Sequence, residues 1–265
     1  MSINVNNLSF SYGENHVLED VSFAALYGDF VSVIGPNGAG KTTLFKCLLG
    51  LLNAESGTIQ IDGKDISKFS MRELSKHIAY IPQSHNPVFN YSVLDMVLMG
   101  TTAQIGMGAS PGKKQVEVAM DALCNLGIDN LKDRGYRFIS GGERQLVLIA
   151  RAIAQQAKIM IMDEPTASLD FGNSINVMKT IRKLADSGYL IIQSTHDPNQ
   201  AYLYSTQIMA MSKGKIVAYG KQNEIMDSKI LSEIFRTDVE MISLKNDSLR
   251  IFVPAKEKER EEIKE

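Results

Sequence analysis

The chain has 265 residues, of which 44% are hydrophobic and 22% charged, so it can bury a core and is not a disordered polymer. Its 28 basic and 30 acidic residues leave a formal charge of -2, which excludes a global basic footprint for duplex nucleic acid. Two cysteines, Cys47 and Cys124, make neither a disulfide framework nor a zinc cluster.

In chain order, residues 3–23 alternate apolar and polar, and Phe30–Ile34 is a short β-branched strand followed by a helical stretch, Thr42–Leu49. Gly57–Gly63 is a short strand ending at Asp-Gly, and Ile78–Ile81 is another strand. A Gly- and Ser-containing stretch, Thr101–Gly112, precedes two helical segments, Lys113–Leu126 and Glu143–Gln156. Then come a strand at Ile159–Met162, a helix at Ser174–Ala185 and a strand at Tyr189–Gln193. Ile208–Met211 and Ile216–Tyr219 bracket Lys213-Gly214 as a hairpin, and Val239–Leu244 with Leu249–Val253 form a second candidate around Asn246-Asp247. Lys256–Glu265 is almost entirely charged and reads as a solvated tail.

Apolar strands alternating with helices predict an α/β fold with a mainly parallel central sheet covered on both faces, flanked by antiparallel strands. The expected organisation is one domain over 1–265. It has a core of 1–83 and 157–240, a helical insertion lobe over 84–156 and a short C-terminal extension over 241–265. No apolar run approaches the roughly 18–20 residues that span a bilayer, and the N-terminus lacks the layout of a signal peptide. The expectation is a cytoplasmic protein that serves a membrane only as a peripheral partner.

The chemistry begins at Gly35-Pro36-Asn37-Gly38-Ala39-Gly40-Lys41-Thr42, which matches G-x-x-x-x-G-K-[ST] between a strand and a helix. Glycines let backbone N–H groups turn inward, and the helix N-terminus adds positive potential for an anion. Lys41 supplies a compact charge for β/γ-phosphates, and the Thr42 hydroxyl is a hard oxygen ligand for Mg²⁺. The complementary acid group is Asp163-Glu164, at the end of the Ile159–Met162 strand. Asp163 suits the water shell of Mg²⁺, and Glu164 can deprotonate an attacking water. Gln83 and His196 also follow strands, so four strand ends deliver Lys41, Gln83, Glu164 and His196 to one sheet edge, where ligands of open parallel sheets bind.

With these in place, Ile139-Ser140-Gly141-Gly142-Glu143-Arg144-Gln145, followed by Leu148-Ile149-Ala150-Arg151-Ala152, resembles the signature of the ATP-binding cassette (ABC) ATPases. That signature usually reads Leu-Ser-Gly-Gly-Gln; Ile139 and Glu143 are the two departures. The resemblance reaches to about residue 240 and implies the ABC ATPase fold, a P-loop NTPase core. By the residues alone, Ser140 and Glu143 form an S-x-x-E capping box. The resemblance implies more: Ser140, Gly141, Gly142 and Glu143 would face the γ-phosphate of ATP held by an opposite subunit. Glu143 then either adds negative charge there or points away. By the same resemblance, Tyr12 stacks on adenine and the loop from Gly35 through Thr43 holds the phosphates. Thr42, Gln83 and Asp163 serve Mg²⁺, Asp170 crosses the dimer interface after a reversed Ala167-Ser168, and His196 contacts the γ-phosphate. ATP and Mg²⁺ are the implied ligands, closed between two copies of the chain.

Thr195–Ala201 and Tyr91–Gly100 look like the corresponding stretches of importers of metal chelates, namely iron-siderophore, haem, cobalamin and the similar molybdate systems. The resemblance therefore implies an ATP-hydrolysing importer subunit that couples dimer closure to uptake. It would sit on the cytoplasmic face of the membrane with two polytopic permease subunits and a substrate-binding protein, docked near Gln83–Val97. By the same resemblance, the short C-terminal extension is not expected to hold the regulatory β-domain of many sugar-importer ATPases. The alternative is a soluble ABC ATPase acting on a protein scaffold, as in iron–sulfur cluster assembly. A DNA-repair or chromosome-associated ABC ATPase is excluded, because the stretch between Lys41 and Ser140 is too short for long coiled-coil insertions.

Overall fold

Five parallel strands and one antiparallel edge strand form the central sheet of the described residues, in the order β10-β9-β3-β8-β7-β6. These are β3 (Phe30–Ile34), β6 (Ile78–Ile81), β7 (Ile159–Asp163), β8 (Leu190–Thr195), β9 (Gln207–Ser212) and β10 (Lys215–Lys221). The computed structural model of the protein describes residues 2–83, 89–105, 110–244 and 249–255. The turn at Asn246-Asp247, the tail Lys256–Glu265, residues 106–109 of the Gly/Ser stretch and residues 84–88 of the expected docking segment lie outside them.

Both faces of the sheet are apolar, and successive residues of each strand feed opposite cores. Along β7, Ile159 and Ile161 pack on one face while Met160 and Met162 pack on the other; β8 repeats this with Leu190 and Ile192 against Ile191. Period-two alternation between two buried faces produces a continuous apolar run in sequence.

One face receives α1 (Lys41–Leu48) and an antiparallel sheet ordered β2-β1-β4-β5, built from β1 (Ile3–Tyr12), β2 (Asn15–Ala25), β4 (Ser56–Ile61) and β5 (Lys64–Asp65). A short helix, α2 (Met71–Leu74), leads into β6. The opposite face receives α3 (Val93–Leu98), α4 (Lys113–Asn125), α5 (Gly141–Ala154) and α6 (Phe171–Asp186). A smaller third core gathers α7 (Pro198–Tyr204), α9 (Ser228–Phe235) and a terminal hairpin of β11 (Val239–Leu244) and β12 (Leu249–Pro254) beside β3 and β9. Between β10 and α9 lies the short helix α8 (Gln222–Ile225).

Several boundaries differ from the sequence reading for identifiable reasons. The helix expected from Glu143 begins at Gly141, because Ser140 is its cap and accepts from the Glu143 N–H at 3.3 Å. The helix expected from Ser174 begins at Phe171, because Asp170 Oδ1 accepts from the Asn173 N–H at 2.8 Å. The strand expected to stop at Gln193 continues to Thr195, since Ser194 and Thr195 pair in register with Asp163 and Ile34. Side-chain polarity marked an end that backbone pairing does not make. Cys47 is buried, which pushes its thiol up to about 11, whereas Cys124 is exposed.

Phe30 is fully buried against the helical face. Phe30→Ala is expected to cost about 3–5 kcal/mol, seen as a lower urea midpoint at unchanged slope; an unchanged midpoint would place Phe30 outside the core.

Candidate functional site

Strand register assembles the site. Ile81 pairs with Met162, Asp163 with Ser194 and Thr195 with Ile34, so Gln83, Glu164, His196 and Gly35 all emerge from the same edge. Register alone thus brings four distant parts of the chain together.

The loop from Gly35 to Gly40 makes its turn with three glycines at positive φ. At Gly35 (φ 153°) a Cβ would lie 2.3 Å from the Met211 carbonyl oxygen, and at Gly40 (φ 102°) it would lie 2.9 Å from Leu18 Cδ2. No larger residue fits either position without displacing backbone or core. Gly40 is the N-cap of α1 and brings no side chain to it; the first intrahelical bond is Leu44 N–H to Gly40 O at 2.8 Å. The N–H groups of Lys41, Thr42 and Thr43 therefore point back toward the loop with the positive end of the helix dipole.

Lys41 is buried, and its Nζ donates to the carbonyls of Gly35 at 2.7 Å and Pro36 at 3.0 Å. Burial pushes its ammonium below the ordinary lysine range, opposed by the nearby carboxylates of Glu164 and Asp163. A cleft of about 170 Å³ is lined by Val17, Asn37, Gly38, Ala39, Gly40, Lys41, Thr42, Thr43, Asp163 and Glu164.

The two carboxylates are held differently. Asp163 Oδ2 accepts from Thr42 Oγ1 at 3.3 Å, and its Oδ1 accepts from Ser194 Oγ at 2.5 Å. Two hard oxygens facing one cleft suit Mg²⁺, so the donor set fits that ion. Glu164 has φ 45°, a left-handed backbone that costs a non-glycine residue about 1–3 kcal/mol. Its N–H donates to Ser194 Oγ at 3.0 Å, which helps hold the turn. The side chain reaches between two strand ends: Gln83 Nε2 donates to Oε2 at 2.9 Å, and His196 Nδ1 lies 3.4 Å from Oε1. A carboxylate turned out of its strand, oriented by an amide and an imidazole, is arranged to accept a proton at the cleft.

Other expected residues stand apart from this cluster. Tyr12 is exposed at the end of β1, edge-to-face with Phe10 at 4.9 Å. Ser140 and Gly141 lie at the exposed tip of α5, outside the cleft lining. Glu143 folds back on that tip, its Oε2 accepting from the Ser140 N–H at 2.7 Å, and these bonds hold its carboxyl below the ordinary glutamate range. Of the two orientations open from the sequence, it takes the one turned onto its own helix. Asp170 caps α6, and Asn173, which that cap orders, lies against the signature: a Cβ on Gly142 would meet Asn173 Oδ1 at 2.6 Å. The tips of α5 and α6 are thus packed together.

Three participants escaped the sequence reading. Val17 lines the cleft from β2, where nothing but apolar alternation marks it. Ser194 supports both acids; the polar run Gln193-Ser194-Thr195 closing an apolar strand was its only signal. Gln200 joins the loop after Glu164 to the first turn of α6, with Thr166 Oγ1 donating to its Oε1 at 3.0 Å and its Nε2 donating to Ser174 Oγ at 3.1 Å.

Known proteins agree with this geometry. The ABC transporter family pattern matches residues 18–167. An ABC transporter ATP-binding protein of Haemophilus influenzae is 40% identical over 91% of this chain and 92% of its own length. The hemin import ATP-binding protein HmuV of Thermobifida fusca is 33% identical over 96% and 89% of the two chains. Among solved structures, a chain of an ABC transporter assigned to the metal-chelate type, in an inward-facing conformation, superposes with a TM-score of 0.85 at 32% identity, over 96% of this chain and 98% of that one. A phosphate-binding loop, paired strand-end carboxylates and these likenesses lead to one conclusion: the chain belongs to the ABC transporter family and is an ATP-binding subunit with ATPase activity.

Proposed function

We propose that the protein is the ATPase subunit of a membrane importer for a metal chelate or a related substrate, with Glu164 as general base. The observation that carries the hydrolytic assignment is the placement of the Glu164 carboxylate between Gln83 and His196 at the phosphate-loop edge. Likeness to a hemin import subunit and to a metal-chelate type transporter supports import, and neither points to an iron–sulfur scaffold.

In this reading the N–H groups of the Gly35–Thr43 loop and Lys41 Nζ bind the phosphates of ATP, and Tyr12 stacks on adenine. Thr42 and Asp163 hold Mg²⁺ with Gln83 nearby; when bound, the ion neutralises phosphate charge. Glu164 orients a water and takes its proton as the water oxygen bonds to the γ-phosphorus and the bond to the bridging oxygen breaks, giving ADP and phosphate. His196 donates to the γ-phosphate. The tip of α5, Ser140 to Gly142, serves the nucleotide of a second copy, with Asp170 at the interface. ATP then stabilises the closed pair, and hydrolysis reopens it.

No helix among the described residues is long and apolar enough to cross a membrane; in this reading a permease partner forms the spanning part of the importer. For docking on the cytoplasmic face the best-formed surface is an apolar groove of about 380 Å³ whose lining lies outside the expected Gln83–Val97 segment: Leu51 and Met71 stand 57% and 56% exposed along it, beside Met99 and Tyr80. The division into core, lobe 84–156 and C-terminal extension is part of the same proposal, although the terminal hairpin already begins at Val239.

Glu164→Gln should retain ATP but lower turnover about 10²–10⁴-fold and accumulate a nucleotide-bound dimer. Steady-state hydrolysis close to wild type, assayed with the permease present, would remove Glu164 from the role of base. Glu143→Gln should change turnover by less than about twofold, because glutamine makes the same capping box. A large gain in rate would mean that the Glu143 carboxylate does reach phosphate.

A further inference from the structure

The terminal hairpin is tied to the helix that follows His196. Asn199, in the first turn of α7, binds both backbone groups of Phe252 on β12: its Nδ2 donates to the Phe252 carbonyl at 3.0 Å, and the Phe252 N–H donates to its Oδ1 at 2.8 Å. An amide used in this way occupies the backbone as a neighbouring strand would. The Phe252 side chain is 4% exposed, lies edge-to-face with Tyr202 at 5.8 Å, and shares its core with Ile34, the last residue before the phosphate loop.

The same turn of α7 is wired to the hydrolytic site from its other side. Asp197, next to His196, caps the helix by accepting from the N–H groups of Asn199 at 2.9 Å and Gln200 at 3.1 Å. Gln200 in turn holds Thr166, two residues beyond Glu164. One helical turn therefore connects the hairpin to the loops bearing both His196 and Glu164.

We infer that the C-terminal hairpin acts on hydrolysis through Asn199, a positioning residue that fixes the first turn of α7 and thereby the placement of His196 against Glu164. This rests on the site reading above, in which His196 takes part in hydrolysis. The hairpin does not touch nucleotide in this account. Its effect is on how well the reacting groups are aligned, where displacements of a fraction of an ångström matter.

The test measures ATP hydrolysis and fluorescent-ATP affinity of the full chain with its permease, for Asn199→Ala, Asn199→Asp, His196→Ala and the Asn199→Ala/His196→Ala pair. Asn199→Ala is expected to lower kcat about tenfold while leaving nucleotide affinity near wild type. Asn199→Asp keeps the acceptor for the Phe252 N–H but sets a carboxylate oxygen against the Phe252 carbonyl, so it should lower kcat at least as far; being isosteric, it reports even where the alanine variant fails to fold. In the His196→Ala background, Asn199→Ala should add nothing. Wild-type kcat in both Asn199 variants, or losses that multiply in the pair, would overturn the inference while leaving the site reading intact. Unchanged turnover in His196→Ala would instead overturn the site reading, and this inference with it.

Discussion

Because β6, β7, β8 and β3 run parallel in a fixed register, the residue that follows each strand emerges at one edge, and every chemical group of the site depends on that alignment. A slip of one residue in β8 would turn Ser194 away from Asp163 and present Ile192 to the wrong core. The two apolar faces prevent such a slip. Ile159 and Ile161 fit one core while Met160 and Met162 fit the other, so burial of these residues and presentation of Asp163 are a single constraint.

The acids then acquire different properties from neighbouring backbone. Asp163 ends its strand in regular pairing with Ser194 and faces Thr42, as a ligand position should. Glu164 leaves the strand through a left-handed residue, which turns its carboxylate toward Gln83 and His196. That conformation costs free energy and is maintained by the bond from its N–H to Ser194. Ser194 is thus shared between the two roles, donating to the Asp163 carboxylate and accepting from the Glu164 backbone N–H.

Much of this was legible in the sequence because it was written in local terms. A glycine-rich loop between strand and helix, Asp-Glu ending an apolar strand and S-x-x-E before a helix each carry their own physical reason. The fold class followed from the alternation of apolar strands with helices. What escaped was non-local. Ser194 looks like the polar end of a strand until pairing sets it beside Asp163, and Gln200 and Asn199 look like surface residues of a short helix until their partners Thr166 and Phe252 are placed. The orientation of Glu143 was equally undecidable, since only the folded tip of α5 decides whether a carboxylate serves its own helix or faces outward.

The most direct measurement is a double-mutant cycle between Asp163→Asn and Ser194→Ala, read as nucleotide affinity in the presence of magnesium. If Ser194 acts by holding Asp163 for the metal-bound phosphates, the double variant should bind no more weakly than Asp163→Asn alone, within about twofold. Losses that multiply across the two substitutions would mean that Ser194 and Asp163 act independently, and that their pairing in register does not set the metal-ligand position.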